Sequence, residues 1–122
     1  MSILVIDDEI SIRDVLAEVL KEEGYRVVTA SNGWEAMNVL RQSNEPPCVI
    51  LLDLMMPVMT GWEFRKEQQQ DPALATIPVV VLSAVQNIKT EATALGAAAH
   101  ISKPINFATL LDTVERYCAA HP

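Results

Sequence analysis

Short apolar segments alternate along this chain with longer segments in which apolar residues recur every three or four positions. The first pair shows the pattern: Ile3 to Ile6 is continuously apolar, and the next segment has apolar residues at positions 12, 15, 16, 19 and 20. Continuous apolar runs are typical of strands buried on both faces, and the wider spacing is typical of a helix with one buried side. The sequence therefore predicts a strand followed by a helix.

The same alternation occurs five times. Strands are predicted at 3–6, 25–30, 48–53, 77–83 and 98–102, and helices at 12–23, 33–42, 62–70, 88–95 and 107–118. The predicted N-terminal caps are Ser11, either Ser31 or Asn32, and Asn106, and the predicted terminating glycines are Gly24 and Gly96. Strands that alternate with helices form a parallel sheet covered on both faces. We therefore predict a doubly wound, five-stranded α/β fold in a single domain, residues 1–122.

The charge balance argues against two classes of function. The chain has nine Lys and Arg against sixteen Asp and Glu, which gives a formal charge of −7, and half of its residues are hydrophobic. A nucleic-acid binder needs a basic face, and no apolar segment reaches bilayer-spanning length or forms a signal peptide. We expect a cytoplasmic protein that binds neither nucleic acid nor membrane.

The chain has two cysteines, Cys48 on a predicted strand and Cys118 on a predicted helix, both in apolar surroundings. Buried free cysteines are common in such positions, where they behave as small hydrophobic residues. We expect both to be buried, reduced and structural, without a disulfide between them.

Polar side chains lie where the predicted strands end. Asp7 and Asp8 follow the first strand, Asp53 ends the third, Ser83 ends the fourth and Lys103 follows the fifth. Binding sites of parallel α/β sheets lie at the carboxyl ends of the strands. We therefore expect these five residues to share one site.

Three neighbouring carboxylates would repel one another and raise one another's pKa values, and Lys103 would offset only part of this. A hard divalent cation, Mg²⁺ or Mn²⁺, would relieve the repulsion and keep water positions that a phosphoryl donor can fill. Lys103 would also neutralise phosphoryl oxygens, Ser83 would donate a hydrogen bond, and one carboxylate would attack in line. These chemical requirements alone do not identify the nucleophile. Asp53 is the better candidate, because the adjacent pair Asp7 and Asp8 is better suited to bind the metal.

Five motifs, in order and at compatible spacings, resemble those of the response-regulator receiver domain, as in the chemotaxis response regulator. They are LVIDDE, TASNGWEAM, DLMMPVMTG, IPVVVLSA and GAAAHISKPI. The resemblance covers essentially the whole chain. It implies a flavodoxin-like (βα)5 fold with strand order 2-1-3-4-5.

The resemblance also assigns roles to individual residues. It implies that Asp53 is phosphorylated, that Ser83 turns toward the phosphoryl group, and that Lys103 contacts phosphoryl or carboxylate oxygen. The implied Mg²⁺ ligands are Asp7, Asp8, Asp53 and the backbone carbonyl oxygen of Met55. The bond between Lys103 and Pro104 is expected to be cis, which proline permits.

Three of the departures from the family pattern bear on function. His100 stands three residues before the lysine, where the family usually has an aromatic residue that transmits phosphorylation to the helix 4–strand 5–helix 5 face. A histidine there could imitate the aromatic ring, could titrate and make the output pH-sensitive, or could have no switch role. Met55 and Val85, two residues beyond Asp53 and Ser83, are apolar. Neither can position an attacking water, so we predict slow hydrolysis of the phosphoryl group.

The implied function is that of a phosphorylation switch in a two-component or phosphorelay pathway. The donor would be a sensor histidine kinase or a histidine phosphotransfer protein, and the output a downstream protein target or a fused output domain. The chain would act as a monomer or as a phosphorylation-dependent homodimer. It would catalyse only its own phosphorylation and dephosphorylation, and we do not otherwise expect an enzyme.

The sequence argues against three alternative functions. A receiver-like interaction module without phosphorylation would not need the complete set of five polar residues. A phosphatase of the haloacid dehalogenase type carries an Asp-x-Asp turn, whereas Met55 stands where the second aspartate would be. A flavodoxin-like cofactor binder should have a phosphate-cradling first loop, whereas Asp7-Asp8-Glu9 would repel a phosphate.

Overall fold

The computed structural model describes residues 2–56, 59–84 and 87–118, which form alternating strands and helices. The strands are β1 (Ser2–Ile6), β2 (Arg26–Ala30), β3 (Val49–Asp53), β4 (Val79–Ser83) and β5 (Ala99–Ser102). The helices are α1 (Ile10–Glu22), α2 (Gly33–Gln42), α3 (Gly61–Gln70), α4 (Ile88–Ala94) and α5 (Phe107–Cys118). No helix in this part of the chain combines the length and apolar character needed to cross a membrane.

The five strands form one parallel sheet in the order β2-β1-β3-β4-β5. Every residue of β3 and β4 is buried, which agrees with their near-continuous apolar sequences. The parallel sheet, its strand order and the five strand–helix units confirm the predicted fold. The predicted bounds differ from the observed ones by two residues or fewer at every end.

Helices cover the sheet on both faces because successive side chains of a strand point in opposite directions. Leu4 packs in a cluster that includes Phe64 of α3 and further residues of α2 and α4. Its neighbour Ile3 packs in a second cluster with Leu16 of α1 and Leu110 of α5. The fold therefore has three layers, with α2, α3 and α4 on one side of the sheet and α1 and α5 on the other.

The predicted start of α1 was wrong, and its predicted end was right. Helix α1 begins at Ile10, so Ser11 lies inside its first turn. The Asp7 carboxylate accepts a hydrogen bond from the Glu9 N–H at 2.9 Å, which orders the turn before the helix and lets it start earlier. Gly24 follows α1 with φ +91°, a conformation that favours glycine.

Two other predicted caps agree with the structure. Asn32 precedes α2 and accepts a hydrogen bond from the Glu35 N–H at 2.9 Å, which selects Asn32 over Ser31. Asn106 precedes α5 and accepts one from the Thr109 N–H at 3.1 Å. Each cap satisfies a backbone donor that the helix itself leaves unpaired.

Cys48 and Cys118 form a disulfide bond, so the prediction of two reduced thiols was wrong. Cys48 directly precedes β3, and Cys118 is the last residue of α5. Helix α5 packs across β3 and brings the two Cα atoms to 5.5 Å, within the usual range for a disulfide. The two cysteines are 70 positions apart in the chain, so their proximity depends on tertiary packing.

Candidate functional site

Three carboxylates meet at the carboxyl end of the sheet. Asp7 directly follows β1, where its N–H donates to the carbonyl oxygen of Ala30 at 3.1 Å, and Asp53 is the last residue of β3. Oxygen atoms of Asp7, Asp8 and Asp53 all lie within 4.8 Å of one another. The structure therefore brings these three predicted residues together.

The carboxylates differ in burial, and this difference sets the electrostatics of the site. Asp7 and Asp53 are buried, with 0% and 3% of their surface exposed, whereas Asp8 faces solvent. Burial raises the pKa of Asp53 to about 6, with a further contribution from the negative charge of Asp7. Lys103 and the Met55 N–H act in the opposite direction, because both favour the charged form.

The Lys103 ammonium contacts both buried carboxylates. Its Nζ atom lies 3.2 Å from Oδ2 of Asp7 and 3.5 Å from Oδ1 of Asp53. Burial by itself lowers the pKa of Lys103, but the charges of Asp53 and Asp7 raise it more, so that its pKa is raised overall. The lysine therefore stays positively charged and neutralises part of the acidic cluster.

Ser83 and Lys103 lie at neighbouring positions on the same edge. Ser83 is the buried last residue of β4, and its carbonyl oxygen accepts a hydrogen bond from the Lys103 N–H at 2.8 Å. The strand ends thus place the hydroxyl-bearing residue next to the lysine, as the sequence predicted. The bond between Lys103 and Pro104 is cis, as the resemblance implied.

Met55 borders the site through its backbone. Its N–H donates to Oδ1 of Asp53 at 3.2 Å, whereas its side chain is 61% exposed. His100 lies in β5 opposite Val81, and its side chain is exposed to solvent. The switch role of His100 and the metal-binding role of the Met55 carbonyl stay predictions. Val85 lies outside the described residues.

Helix α3 begins directly against the end of β3, and Gly61 permits this approach. A Cβ atom at Gly61 would lie 2.8 Å from Cα of Leu54 and 2.9 Å from the carbonyl oxygen of Asp53, too close for any other residue. Thr60 and Glu63 form a capping box at the start of the helix. The spacing Thr-x-x-Glu is a known signature of this cap, so it could have been found in the sequence.

A buried polar network, which the sequence did not reveal, joins α3 to the segment between α4 and β5. Arg65 donates from Nε to the carbonyl oxygen of Leu95 at 3.0 Å and from Nη2 to that of Gly96 at 3.1 Å. Its Nη1 donates to Oε1 of Gln68 at 2.8 Å. This network fixes the end of α4 relative to α3, which begins beside Asp53.

Exposed apolar side chains surround the acidic cluster. Ile10 begins α1, Trp34 is in the first turn of α2, Met55 follows β3 and Phe107 begins α5; each is between 44% and 64% exposed. The spacing of Phe107 with Leu110 and Val114 predicts that all three side chains face inward, and for Phe107 this prediction was wrong. Residues in the first turn of a helix lie at the edge of the sheet, where the helix projects beyond the core. An apolar residue on the inner face of the helix can therefore still be exposed there.

An apolar groove of about 310 Å³ lies beside this edge, between α1 and the segment that follows β5. The residues that line it include Ile12, Val15, Lys103, Pro104, Ile105 and Phe107. Val15 belongs to the predicted buried stripe of α1 but is 44% exposed, because it faces this groove and not the sheet. The groove thus places an apolar surface next to Lys103.

The donor set fits a hard divalent cation. The three clustered side chains offer only carboxylate oxygens, the ligand type that Mg²⁺ and Mn²⁺ prefer. Two of the three carboxylates are buried, so that their repulsion is weakly screened by water. A cation would offset this repulsion, while the exposed Asp8 leaves the site open to solvent.

Comparisons with known proteins identify relatives across nearly the whole chain. A family model described as the response regulator receiver domain matches residues 3–115. The probable transcriptional regulator ycf27 of Guillardia theta is 39% identical over 106 residues, which are 85% of this chain and 40% of that protein. Sporulation initiation phosphotransferase F of Bacillus subtilis is 33% identical over 94% of this chain and 91% of its own length. The chain thus spans less than half of the first relative and nearly all of the second.

Solved structures show the same fold. The chemotaxis response regulator CheY4 of Vibrio cholerae is 36% identical and superposes with a TM-score of 0.85, covering 95% of this chain and 97% of its own. The response regulator TrrA of Thermotoga maritima, solved in complex with Mg²⁺–BeF, is 32% identical with a TM-score of 0.82 over the same shares of the two chains. An acidic pocket of this kind is typical of divalent metal binding in such domains.

Proposed function

The chain belongs to the response regulator receiver domain family of two-component signalling, and from that premise we propose that it accepts a phosphoryl group on Asp53 in a Mg²⁺-dependent reaction. The observation that carries the proposal is the meeting of Asp7, Asp8 and Asp53 within 4.8 Å, with Lys103 3.5 Å from Asp53. The site combines a half-buried lysine with three carboxylates, two of which are buried. Lys103, together with a cation held by the carboxylates, would supply the positive charge that neutralises the phosphoryl group during transfer.

Asp53 is the nucleophile in this proposal. Its carboxylate oxygen attacks the phosphorus of a donor phosphohistidine; a phosphorus–oxygen bond forms and the phosphorus–nitrogen bond breaks. The imidazole leaves with the electron pair of that bond and takes a proton from water. Asp7 is already held by Lys103 at 3.2 Å, which leaves Asp53, with the weaker contact to the lysine, as the better nucleophile.

The other polar residues stabilise charge. Lys103 faces phosphoryl oxygens with a positive charge, and the Ser83 hydroxyl donates a hydrogen bond to one of them. Asp7, Asp8, Asp53 and the Met55 carbonyl are the proposed ligands of the cation. When bound, Mg²⁺ supplies positive charge to the carboxylates and to the phosphoryl group, and the Mg²⁺–BeF complex of TrrA supports this choice of metal.

The proposed donor is a protein, either a sensor histidine kinase or a histidine phosphotransfer protein. A protein that presents phosphohistidine to Asp53 must cover the surface around it, and that surface carries Ile10, Trp34 and Phe107. Exposed aromatic and aliphatic side chains beside a groove are typical anchors of a protein interface. A phosphohistidine made from ATP would place the reaction in the cytoplasm.

The proposed output is a change in the α4–β5–α5 face that controls a partner protein or a fused output domain. Ser83 at the end of β4 and His100 in β5 are the proposed switch residues. Phosphorylation-dependent pairing of two copies is a further form of output that this face allows. The chain would catalyse only its own phosphorylation and dephosphorylation.

The test is the intact mass of the protein after incubation with acetyl phosphate, with and without Mg²⁺. We expect the wild type to gain one phosphoryl group only when Mg²⁺ is present, and Asp53→Asn to gain none. Asp112→Asn, the same substitution at an exposed position of α5, should behave as the wild type. Phosphorylation of Asp53→Asn would contradict the proposed acceptor. No gain under any condition would instead favour a receiver-like interaction module without phosphorylation.

A further inference from the structure

The disulfide lies at the other end of the sheet from the acidic cluster. Cys48 directly precedes the first residue of β3, and Asp53 is its last. At about 3.3 Å per residue, the length of β3 separates the two by roughly 17 Å. The cysteine pair is therefore a separate feature, to which the proposed phosphoryl transfer assigns no task.

The disulfide attaches the C-terminal end of α5 to the sheet. Cys118 is the last residue of α5, and the cysteines join it to the start of a central strand across 70 residues of sequence. Near this end the described side chains of α5 give one further polar link, from the Tyr117 hydroxyl to the carbonyl oxygen of Ala98, which directly precedes β5, at 3.2 Å. The last turn of a helix lacks partners for its own carbonyl groups and opens readily. A covalent bond at Cys118 therefore acts where α5 is weakest.

We propose that Cys48 and Cys118 are a reversible redox pair, which fastens the C-terminal turn of α5 to the start of β3 when oxidised and releases it when reduced. Cysteine pairs that form disulfides inside reducing compartments are usually transient or redox-sensing, and the proposed kinase donor implies such a compartment. Both sulfur atoms lie in the core cluster between α5 and the sheet. In the reduced form the two thiols still pack there as small hydrophobic residues, so that both redox states fold.

The reaction is thiol–disulfide exchange with a small disulfide such as oxidised glutathione. A thiolate of one cysteine attacks the glutathione disulfide, whose sulfur–sulfur bond breaks and releases one glutathione. The thiolate of the other cysteine then displaces the second glutathione and forms the internal bond. The cysteines lose two protons and two electrons, and the oxidant becomes two thiols. The opening of the last turn of α5 supplies the access that this exchange requires.

The test is a redox titration of the folded wild-type protein in mixtures of reduced and oxidised glutathione. Samples are quenched in acid, alkylated under denaturing conditions and weighed by intact mass spectrometry. We expect the protein to pass from two alkyl groups to none across the series, in one two-electron transition. Absence of alkylation at every ratio would show a permanent structural bond, and two alkyl groups at every ratio would show buried reduced thiols. Either result, or glutathione adducts without the internal bond, would overturn the proposal.

Amide hydrogen exchange tests the consequence for α5. We expect the amides of its last turn, 115–118, to exchange on the order of tenfold faster or more in the reduced protein, because a disulfide typically contributes at least the equivalent free energy. The amides of α1, on the same face of the sheet but without a tether, are the internal control. Equal exchange of 115–118 in both states would overturn the assigned role of the bond.

The variant Cys118→Ala separates this proposal from the proposed phosphorylation. Cys118→Ala has no partner for Cys48, so Cys48 should be found only as an alkylated thiol or as a glutathione adduct, and the variant should match the reduced wild type in the amide exchange of α5. Because the pair lies at the far end of β3, Cys118→Ala should still be phosphorylated by acetyl phosphate at the wild-type rate. The redox titration needs no phosphorylation, so it stands even if Asp53 proves not to be a phosphoacceptor. If Cys118→Ala does not fold, the wild-type titration and exchange data decide the question.

Discussion

The Lys103 ammonium lies 3.5 Å from the Asp53 carboxylate and 3.2 Å from that of Asp7, so that one cation is shared between two buried anions. This shared contact exists because β1, β3 and β5 all end at the same edge of the parallel sheet. It partly neutralises the site before any metal binds. Substitution of the lysine would therefore remove the neutralising positive charge from both carboxylates at once.

Lys103→Gln should slow phosphorylation by acetyl phosphate by about 10²-fold at saturating Mg²⁺. Loss of one preorganised charge that stabilises a transition state typically has an effect of this size. The rate is measured from the time course of phosphorylated protein by intact mass. Lys66→Gln, the same substitution at an exposed position of α3, is the control and should retain the wild-type rate. Similar rates for the two variants would contradict the role of Lys103.

In the absence of metal, Asp53 should make the folded protein less stable as the pH rises. Burial and Asp7 raise the pKa of Asp53 from 3.8 to about 6, so the folded state binds this proton more tightly than the unfolded state. The stabilisation is complete below pH 4 and is lost as the pH rises through 6. Asp53→Asn lacks this titration. The free energy of unfolding of Asp53→Asn minus that of the wild type should therefore increase by about 1–2 kcal/mol between pH 4 and pH 7, after allowance for solvent screening at the open edge of the sheet.

Urea unfolding of both proteins in EDTA, at several pH values between 4 and 7, measures this difference. Since all other titrating groups are common to the two proteins, their effects largely cancel in the comparison. Parallel pH profiles would mean that Asp53 keeps an ordinary pKa in the folded protein.

Ile10→Ala and Phe107→Ala should impair phosphorylation by a protein donor but not by acetyl phosphate. Each removes an exposed apolar side chain beside the acidic cluster, and truncation of an interface anchor commonly costs tenfold or more in affinity. The probe is a phosphorylated histidine phosphotransfer domain that phosphorylates the wild type, and the readout is kcat/KM. Val28→Ala, at an exposed apolar position on the edge strand β2, is the matched control. A lower kcat/KM with acetyl phosphate as well would indicate that the substitution damages the phosphorylation site itself.

The phosphoryl group on Asp53 should be long-lived, and Met55→Gln should shorten its lifetime by up to about tenfold. The Met55 side chain is exposed beside Asp53 and offers no polar atom for an attacking water. An amide can orient such a water by hydrogen bonding, with a smaller effect than a full general base. The decay of phosphorylated protein after removal of the donor measures the lifetime. Met55→Leu is the control, and equal decay of the Gln and Leu variants would refute the explanation.

The fold and the site were predictable from the sequence for the same reason. Apolar periodicity located the strand ends, and in a parallel sheet those ends share one edge, so Asp7, Asp53 and Lys103 had to converge. The disulfide was not predictable in this way, because it depends on which end of α5 meets β3. Side-chain exposure at the edge of the sheet also escaped prediction, as Phe107 shows, because periodicity identifies the inner face of a helix but not how far the helix projects beyond the core.

Buried polar residues within helices were the other feature that the sequence hid. Gln68 follows a run of charged and polar residues in α3 and gives no sign of burial, yet its exposed surface is 0%. Only the packing of the segment after α3 encloses it. Gln68 and Arg65 therefore illustrate contacts that are set by tertiary structure and not by local sequence.

Gln68→Leu should lower the free energy of unfolding by about 2–4 kcal/mol. The Gln68 amide donates to the carbonyl oxygens of Leu74 at 2.9 Å and Ile77 at 3.1 Å, and its oxygen accepts from Arg65 at 2.8 Å. Leucine has a similar volume but leaves these buried groups without partners, which typically costs more than the hydrogen bonds contribute. Urea unfolding at pH 7 measures the change. Gln70→Leu, at an exposed position of the same helix, should change the stability by less than about 0.5 kcal/mol, and equal losses for the two variants would show that the network does not stabilise the fold.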